Sequence, residues 1–131
     1  MSEENVEIVR ASIDAYNRGQ WDLVLRDAAP GFELDLPRAM GPNRGVYGPD
    51  QARRVLEEFA GQWKSVRIEP DEFIEAGDEV IVPWTLHGTG REGIEVQARP
   101  TWTFTIRDGA IQRVSMYQER QEALKAAGRS E

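Results

Sequence analysis

One run of residues limits the fold of this chain more than any other. Between Ile94 and Arg107 the side chains alternate: Ile94, Val96, Ala98, Pro100, Trp102, Phe104 and Ile106 on one face, Glu95, Gln97, Arg99, Thr101, Thr103, Thr105 and Arg107 on the other. Such a period-two pattern predicts a strand of roughly 43 Å at about 3.3 Å per residue, more than twice the usual length. A strand that long cannot lie flat. It must twist and curl, and a curled sheet encloses a concave side.

The neighbouring segments supply partners. Val66 and Ile68 open a strand that is expected to run, interrupted at Pro70, to Glu75. Ala76-Gly77-Asp78 turns it into a strand in which Val80, Val82, Trp84 and Leu86 alternate with Ile81, Pro83, Thr85 and His87. Gly88 to Gly93 is a glycine-rich hairpin, Asp108-Gly109 a tight one, and Val114, Met116 and Gln118 share a face of the last strand.

The N-terminal part follows helical spacing instead. Val6, Val9, Ile13 and Tyr16 form an amphipathic stripe, with Ser2 placed to cap the helix and Gly19 to end it. A second helix is expected from Trp21 to Ala29, stopping at Pro30-Gly31, followed by a short strand, Phe32 to Leu36, closed by Pro37. Arg38 to Gly48 reads as a long loop, and Pro49-Asp50 opens a third helix with the stripe Ala52, Val55, Leu56, Phe59 and Trp63. A short helix, Gln121 to Ala127, ends at Gly128. The order is α-α-β-α-β-β-β-β-α: one α+β domain spanning 1–131, with a curved, mostly antiparallel sheet wrapped around the N-terminal helices and a short C-terminal helix and tail from about residue 120.

Composition narrows the chemistry. The chain has no cysteine, which excludes disulfides, thiolate metal sites and cysteine nucleophiles and fits a reducing cytoplasm. A single histidine excludes His-cluster metal sites, and no cofactor is expected. A net charge of −7 argues against nucleic-acid binding, which needs a basic stripe. The acidic start leads into no apolar run, so no secretory signal and no membrane span are expected.

This arrangement resembles the nuclear-transport-factor-two-like superfamily and, within it, the SnoaL-like, polyketide-cyclase-like group. The resemblance rests on Glu4-Asn5-Val6-Glu7-Ile8-Val9, Ala15-Tyr16-Asn17-Arg18-Gly19-Gln20-Trp21-Asp22, Val46-Tyr47-Gly48-Pro49-Asp50, Glu75-Ala76-Gly77-Asp78, Phe104-Thr105-Ile106-Arg107-Asp108-Gly109 and Tyr117 to Leu124. It implies a conical domain with a deep apolar pocket for a hydrophobic, cyclic small molecule, with isomerase, cyclase or lyase activity within its range. It also implies a homodimer through the outer sheet face. A non-catalytic binding module and a dimerisation or accessory module are the alternatives.

The family's catalytic residues do not carry over. Where steroid-isomerase-like members place an aspartate base before the strand-closing proline, this chain has Leu36; their tyrosine falls at Ser12 and their neutral carboxylic acid near Trp102. Arg99-Pro100-Thr101 lacks the aspartate of the epoxide-hydrolase-like set, and Gln118 stands near the acid/base position of the cyclases, where it cannot trade protons. Two weak catalytic candidates remain: Asp35, if a bulge turns it inward, and Arg120, if it follows Gln118 toward the interior. By parity Asp35 belongs to the polar side, Arg120 suits a surface ion pair at the start of a helix, and His87 suits the outer face. Tyr16, Leu36, Trp63, Trp84, Trp102, Met116 and Gln118 are the expected pocket residues, aromatic walls with few polar anchors.

Overall fold

Strand β5 (Glu79–Gly90) organises the molecule, because four other strands pair with it. A computed structural model describes residues 2–36 and 45–128. Along one edge β5 pairs with β3 (Trp63–Pro70) and β4 (Ile74–Ala76); along the other it pairs with β6 (Glu95–Ala98) and β7 (Thr101–Arg107). The sheet then continues through β8 (Ala110–Tyr117), β1 (Ala28–Leu36) and β2 (Gly45–Tyr47). Among the described residues, only β1 and β8 pair in parallel. The helices are α1 (Ser2–Asn17), α2 (Trp21–Val24), α3 (Pro49–Gly61) and α4 (Arg120–Ala126). This is the α+β architecture expected, a curved sheet with α1 and α3 against its concave side.

The expected long strand is broken. Pro100 has no N–H to donate, and the regular ladder stops at Arg99-Pro100, dividing the run into β6 and β7. Pro100 still accepts a hydrogen bond from the Trp84 amide (3.1 Å), so the two halves follow one path along β5. The long uninterrupted strand is β5 itself.

Three further expectations change. The second helix is one turn long, and β1 begins at Ala28 rather than Phe32, with its ladder to β8 irregular between Ala28 and Glu33. Gln20 gives the start of α2 no side-chain cap, while the Ile111 amide donates to the Asp27 carbonyl at 2.7 Å, so sheet pairing overrides the helical pattern. Trp63 belongs to β3, because α3 stops at Gly61. Within the expected loop, residues 45–47 pair with β1 as β2, while 37–44, including Pro37, lie outside the described residues. The Asp108-Gly109 hairpin is as expected: both residues have positive φ (52° and 76°).

The core has two parts. Val9, Ile13, Tyr16, Phe32, Leu34, Val82, Trp84 and Phe104 pack on the concave side. On the convex side α4 lays Ala123 and Leu124 over Ile81. The outer face, where threonines alternate along β7, is therefore partly covered. Thr101 and Thr103 are 1% and 5% exposed.

Asn17 fixes α1 to the sheet. Its side-chain amide donates to the Ile68 carbonyl and its oxygen accepts from the Ile68 amide, both at 2.8 Å. This imitates one strand pairing at the end of a helix. Asn17→Ala is expected to lower unfolding stability by about 1–3 kcal/mol, read as a shifted urea midpoint with unchanged slope. A midpoint identical to wild type would contradict this role.

Candidate functional site: an apolar cavity under the helices

The concave side is not completely filled. Helix α1 presents Ser12, Ile13 and Tyr16, and α3 presents Val55, Leu56 and Phe59. Opposite them stand Phe32, Leu34 and Leu36 from β1, Ile68 from β3, Trp84 from β5, Trp102 and Phe104 from β7, and Val114 and Met116 from β8. They enclose a cavity of about 70 Å³. A single water needs roughly 10–15 Å³ by this measure, so there is room for a small organic group. The α3 side chains are only half-buried, whereas Ile13, Phe32, Leu34, Trp84 and Phe104 are buried, so α3 is the looser wall.

Three aromatic rings make a shelf on the sheet side. Trp84 and Trp102 lie with centroids 4.5 Å apart, and Trp102 meets Phe104 edge-on at 5.8 Å. Tyr16 stacks edge-on against Trp21 at 5.3 Å. Polar groups on this wall are few. The Ser12 hydroxyl is used by the Val24 carbonyl at 2.7 Å. The buried indole N–H of Trp84 has no acceptor among the described residues. Burial pushes the ionisation of the Tyr16 hydroxyl well above its ordinary range, so the phenol is neutral at physiological pH and can donate but not act as a base.

Five of the seven residues expected at the pocket contribute to this wall: Tyr16, Leu36, Trp84, Trp102 and Met116. Two are elsewhere. Gln118 is exposed just beyond the end of β8. Trp63, moved from α3 to β3, packs edge-on to Phe59 (5.9 Å) and covers Gly88, where a Cβ would lie 2.6 Å from its ring. Trp63 therefore backs the wall rather than forming it.

The catalytic candidates are outside as well. Asp35 stays on the outer face by strand parity, where Arg113 joins it and Glu33 in one ion-pair cluster. Arg120 opens α4 and pairs with Glu72 at 3.2 Å, away from the cavity. His87 bonds Glu69 through Nε2 at 2.7 Å, and that bond holds the Glu69 carboxyl below its usual range. Among the described residues, then, the cavity wall carries no carboxylate and no imidazole. Ser12, Phe32, Leu34, Val55, Leu56, Phe59 and Val114 were not expected at the site. Their signal, apolar stripes on α1, α3, β1 and β8, was visible, but stripes do not say which members face a gap.

The family model for the SnoaL-like domain matches residues 9–114. The chain belongs to the SnoaL-like domain family. No curated protein matches it. Among solved structures, an NTF2-like protein of unknown function from Burkholderia pseudomallei is 24% identical, with a TM-score of 0.80 over 93% of this chain and 95% of that one. TerC, co-crystallised with polyporic acid, is also 24% identical, with a TM-score of 0.80 over 95% of this chain and 98% of its own. A protein from Catenulispora acidiphila with a ketosteroid isomerase-like fold, in complex with trimethylamine, is 16% identical, with a TM-score of 0.75 over 95% and 94% of the two chains. At these identities the SnoaL-like chain shares the fold with them.

Tyr16 links the site to alkaline stability. Its folded-state ionisation lies above the unfolded value of 10.0, so stability is constant below that pH and falls as pH rises past it, where only the unfolded chain ionises readily. Tyr117, also raised mainly by burial, adds a slope of the same sign. Denaturant midpoints above pH 10 are expected to fall less steeply for Tyr16→Phe than for wild type, and parallel curves would refute the buried phenol.

Proposed function

We propose that this SnoaL-like domain binds a small hydrophobic molecule carrying a ring, held between the Trp84–Trp102–Phe104 shelf and helices α1 and α3. The observation that carries the reading is the wall itself: an open space lined by apolar and aromatic side chains with a few neutral donors. That structures of similar fold hold polyporic acid or trimethylamine supports a ligand at this fold.

Binding fits the wall better than isomerase, cyclase or lyase turnover. Acid–base catalysis needs a group that exchanges protons near neutral pH, and Tyr16, Ser12 and Trp84 do not. Leu36 and Trp102, at the positions where isomerase-like relatives hold acids, complete the apolar lining. The accessory-module reading loses support because α4 already covers Ile81 on the outer face, where Thr101 and Thr103 are also buried. What that face leaves open includes the Arg113 ion-pair cluster, a hydrated surface that gives the expected outer-face homodimer little apolar area. A cytoplasmic setting remains part of the proposal, consistent with a chain that has no cysteine.

The expected strength is modest. Burying roughly 150 Å² of ring surface at about 25 cal/mol per Å² contributes about 4 kcal/mol. Contact with an aromatic wall adds about 1 kcal/mol, which places a single-ring ligand at a Kd on the order of 0.1–1 mM. Toluene titrated against selectively excited tryptophan emission should give a saturable change in that range. Val55→Trp, which fills the looser wall, should keep the fold and weaken binding at least tenfold. No saturable change, or an unaltered Kd in the filled variant, would refute the site.

A further inference from the structure

A second hollow lies directly behind one part of the cavity wall. It holds about 190 Å³ between α1 and the chain that follows it, and Asp14, Gln20, Leu23, Arg26 and Asp27 are among its lining residues. Asp14, Gln20, Leu23 and Arg26 are exposed, so this space opens to water. Two residues line both spaces: Ser12 of α1 and Val24 of α2. Between the wet hollow and the apolar cavity the wall is there one side chain thick. A hydrogen bond spans it, the Ser12 hydroxyl donating to the Val24 carbonyl at 2.7 Å. Leu25, the next residue, closes the cavity beside Val24.

The segment that carries Val24 is weakly held. Helix α2 is four residues long, too short to be stable by itself, and Gln20 gives its start no side-chain cap. Gly19, at φ 69°, precedes it, and a turn from Leu25 to Asp27 follows. Past that turn the Ile111 amide pins the Asp27 carbonyl at 2.7 Å, which sets the far limit of any movement. Besides the Ser12 bond, Trp21 meets Tyr16 edge-on, and Asp22 pairs with Arg53 of α3 at 2.6 Å. Both charged groups of that pair are exposed, so it restrains α2 little. Helix α3 is a different case: it runs thirteen residues with Pro49 in its first turn and buries Ala52 completely.

Taking the cavity as the ring-binding site proposed above, we propose that α2 is its door. A small apolar molecule enters the outer hollow from water; outward movement of α2 then withdraws Val24 and Leu25 and joins the two spaces. The Ser12–Val24 bond is the latch. When it parts, its donor and acceptor face the wet hollow, where water replaces the lost partner, so opening leaves no buried polar group unpaired. Local opening across so few contacts belongs to the low-stability end of a fold, and lids of this kind move in microseconds to milliseconds. A door of this kind governs how fast the ligand exchanges. The contacts of the closed state, and with them the Kd, stay as they are.

The rates therefore make the test. Ala11 and Leu23 line the outer hollow from α1 and α2, and neither lines the cavity. The chain has no cysteine, so Ala11→Cys/Leu23→Cys can be joined by a short bismaleimide that holds α2 to α1 and leaves α3 free. NMR exchange measurements on cavity methyl groups at partial toluene saturation read the rates, and titration reads the Kd. In the linked protein association and dissociation should both slow about tenfold or more, with the Kd within about twofold of wild type. The unlinked double variant should exchange as wild type does. Ser12→Ala, which removes the latch, should instead speed dissociation about threefold or more. Wild-type rates in the linked protein overturn the door while leaving the binding site intact, and dissociation no faster in Ser12→Ala overturns the latch. A Kd that weakens in step with the slowed association also overturns the door, because the link would then have altered the site. No saturable toluene binding in wild type removes site and door together.

Discussion

The structure depends on β5 being buried on both faces. Val80, Ile81 and Val82 are consecutive, point alternately to opposite sides, and are each no more than 1% exposed. One side of the sheet is covered by α1 and α3, the other by α4, and β5 pairs along both edges. A strand held from four directions cannot slip, because a shift of one residue would exchange every side chain between two differently built cores. Its twelve residues also force the curl that sets the helices over a concave surface rather than a flat one.

The cavity follows from that geometry and from where charge was placed. Acidic and basic side chains on the strands next to the cavity face outward, as Glu33, Asp35 and Arg113 do, and are paired there. The inward positions hold rings and aliphatic groups. Rings are rigid and pack at fixed distances, and a curved sheet opposed by two helices leaves a gap that the indoles of Trp84 and Trp102 and the Tyr16 phenol do not close. The same separation of charge explains why, among the described residues, the cavity wall carries neutral donors but no carboxylate or imidazole.

Much of this was legible in the sequence, because alternation and helical stripes report directly on which face a residue takes. Asp35 and His87 on the outer face, Trp84 and Trp102 on the inner one, and the α+β order all follow from parity. What could not be read was decided by tertiary pairing. Trp63 fits the stripe of α3, but β5 offers a glycine at position 88 that an indole can lie against, and the residue became part of a strand. The short α2 yielded to the β1–β8 ladder. Gln118 kept the strand's parity in the sequence, yet the ladder to β7 ends at Tyr117, so parity no longer fixes its direction. Arg120 found Glu72, a residue nearly fifty positions away, which no local pattern announces.

The central claim is that the interior contains an apolar space rather than a closed core. Methyl NMR under xenon pressure tests it directly, since xenon enters apolar cavities without needing any polar partner. The account predicts saturable shifts for the methyl groups of Ile13, Leu34, Val55 and Val114, with those of Leu124 in α4 and of Ile81 beneath it unmoved. Shifts spread evenly over both cores, or none at the four cavity residues, would contradict it.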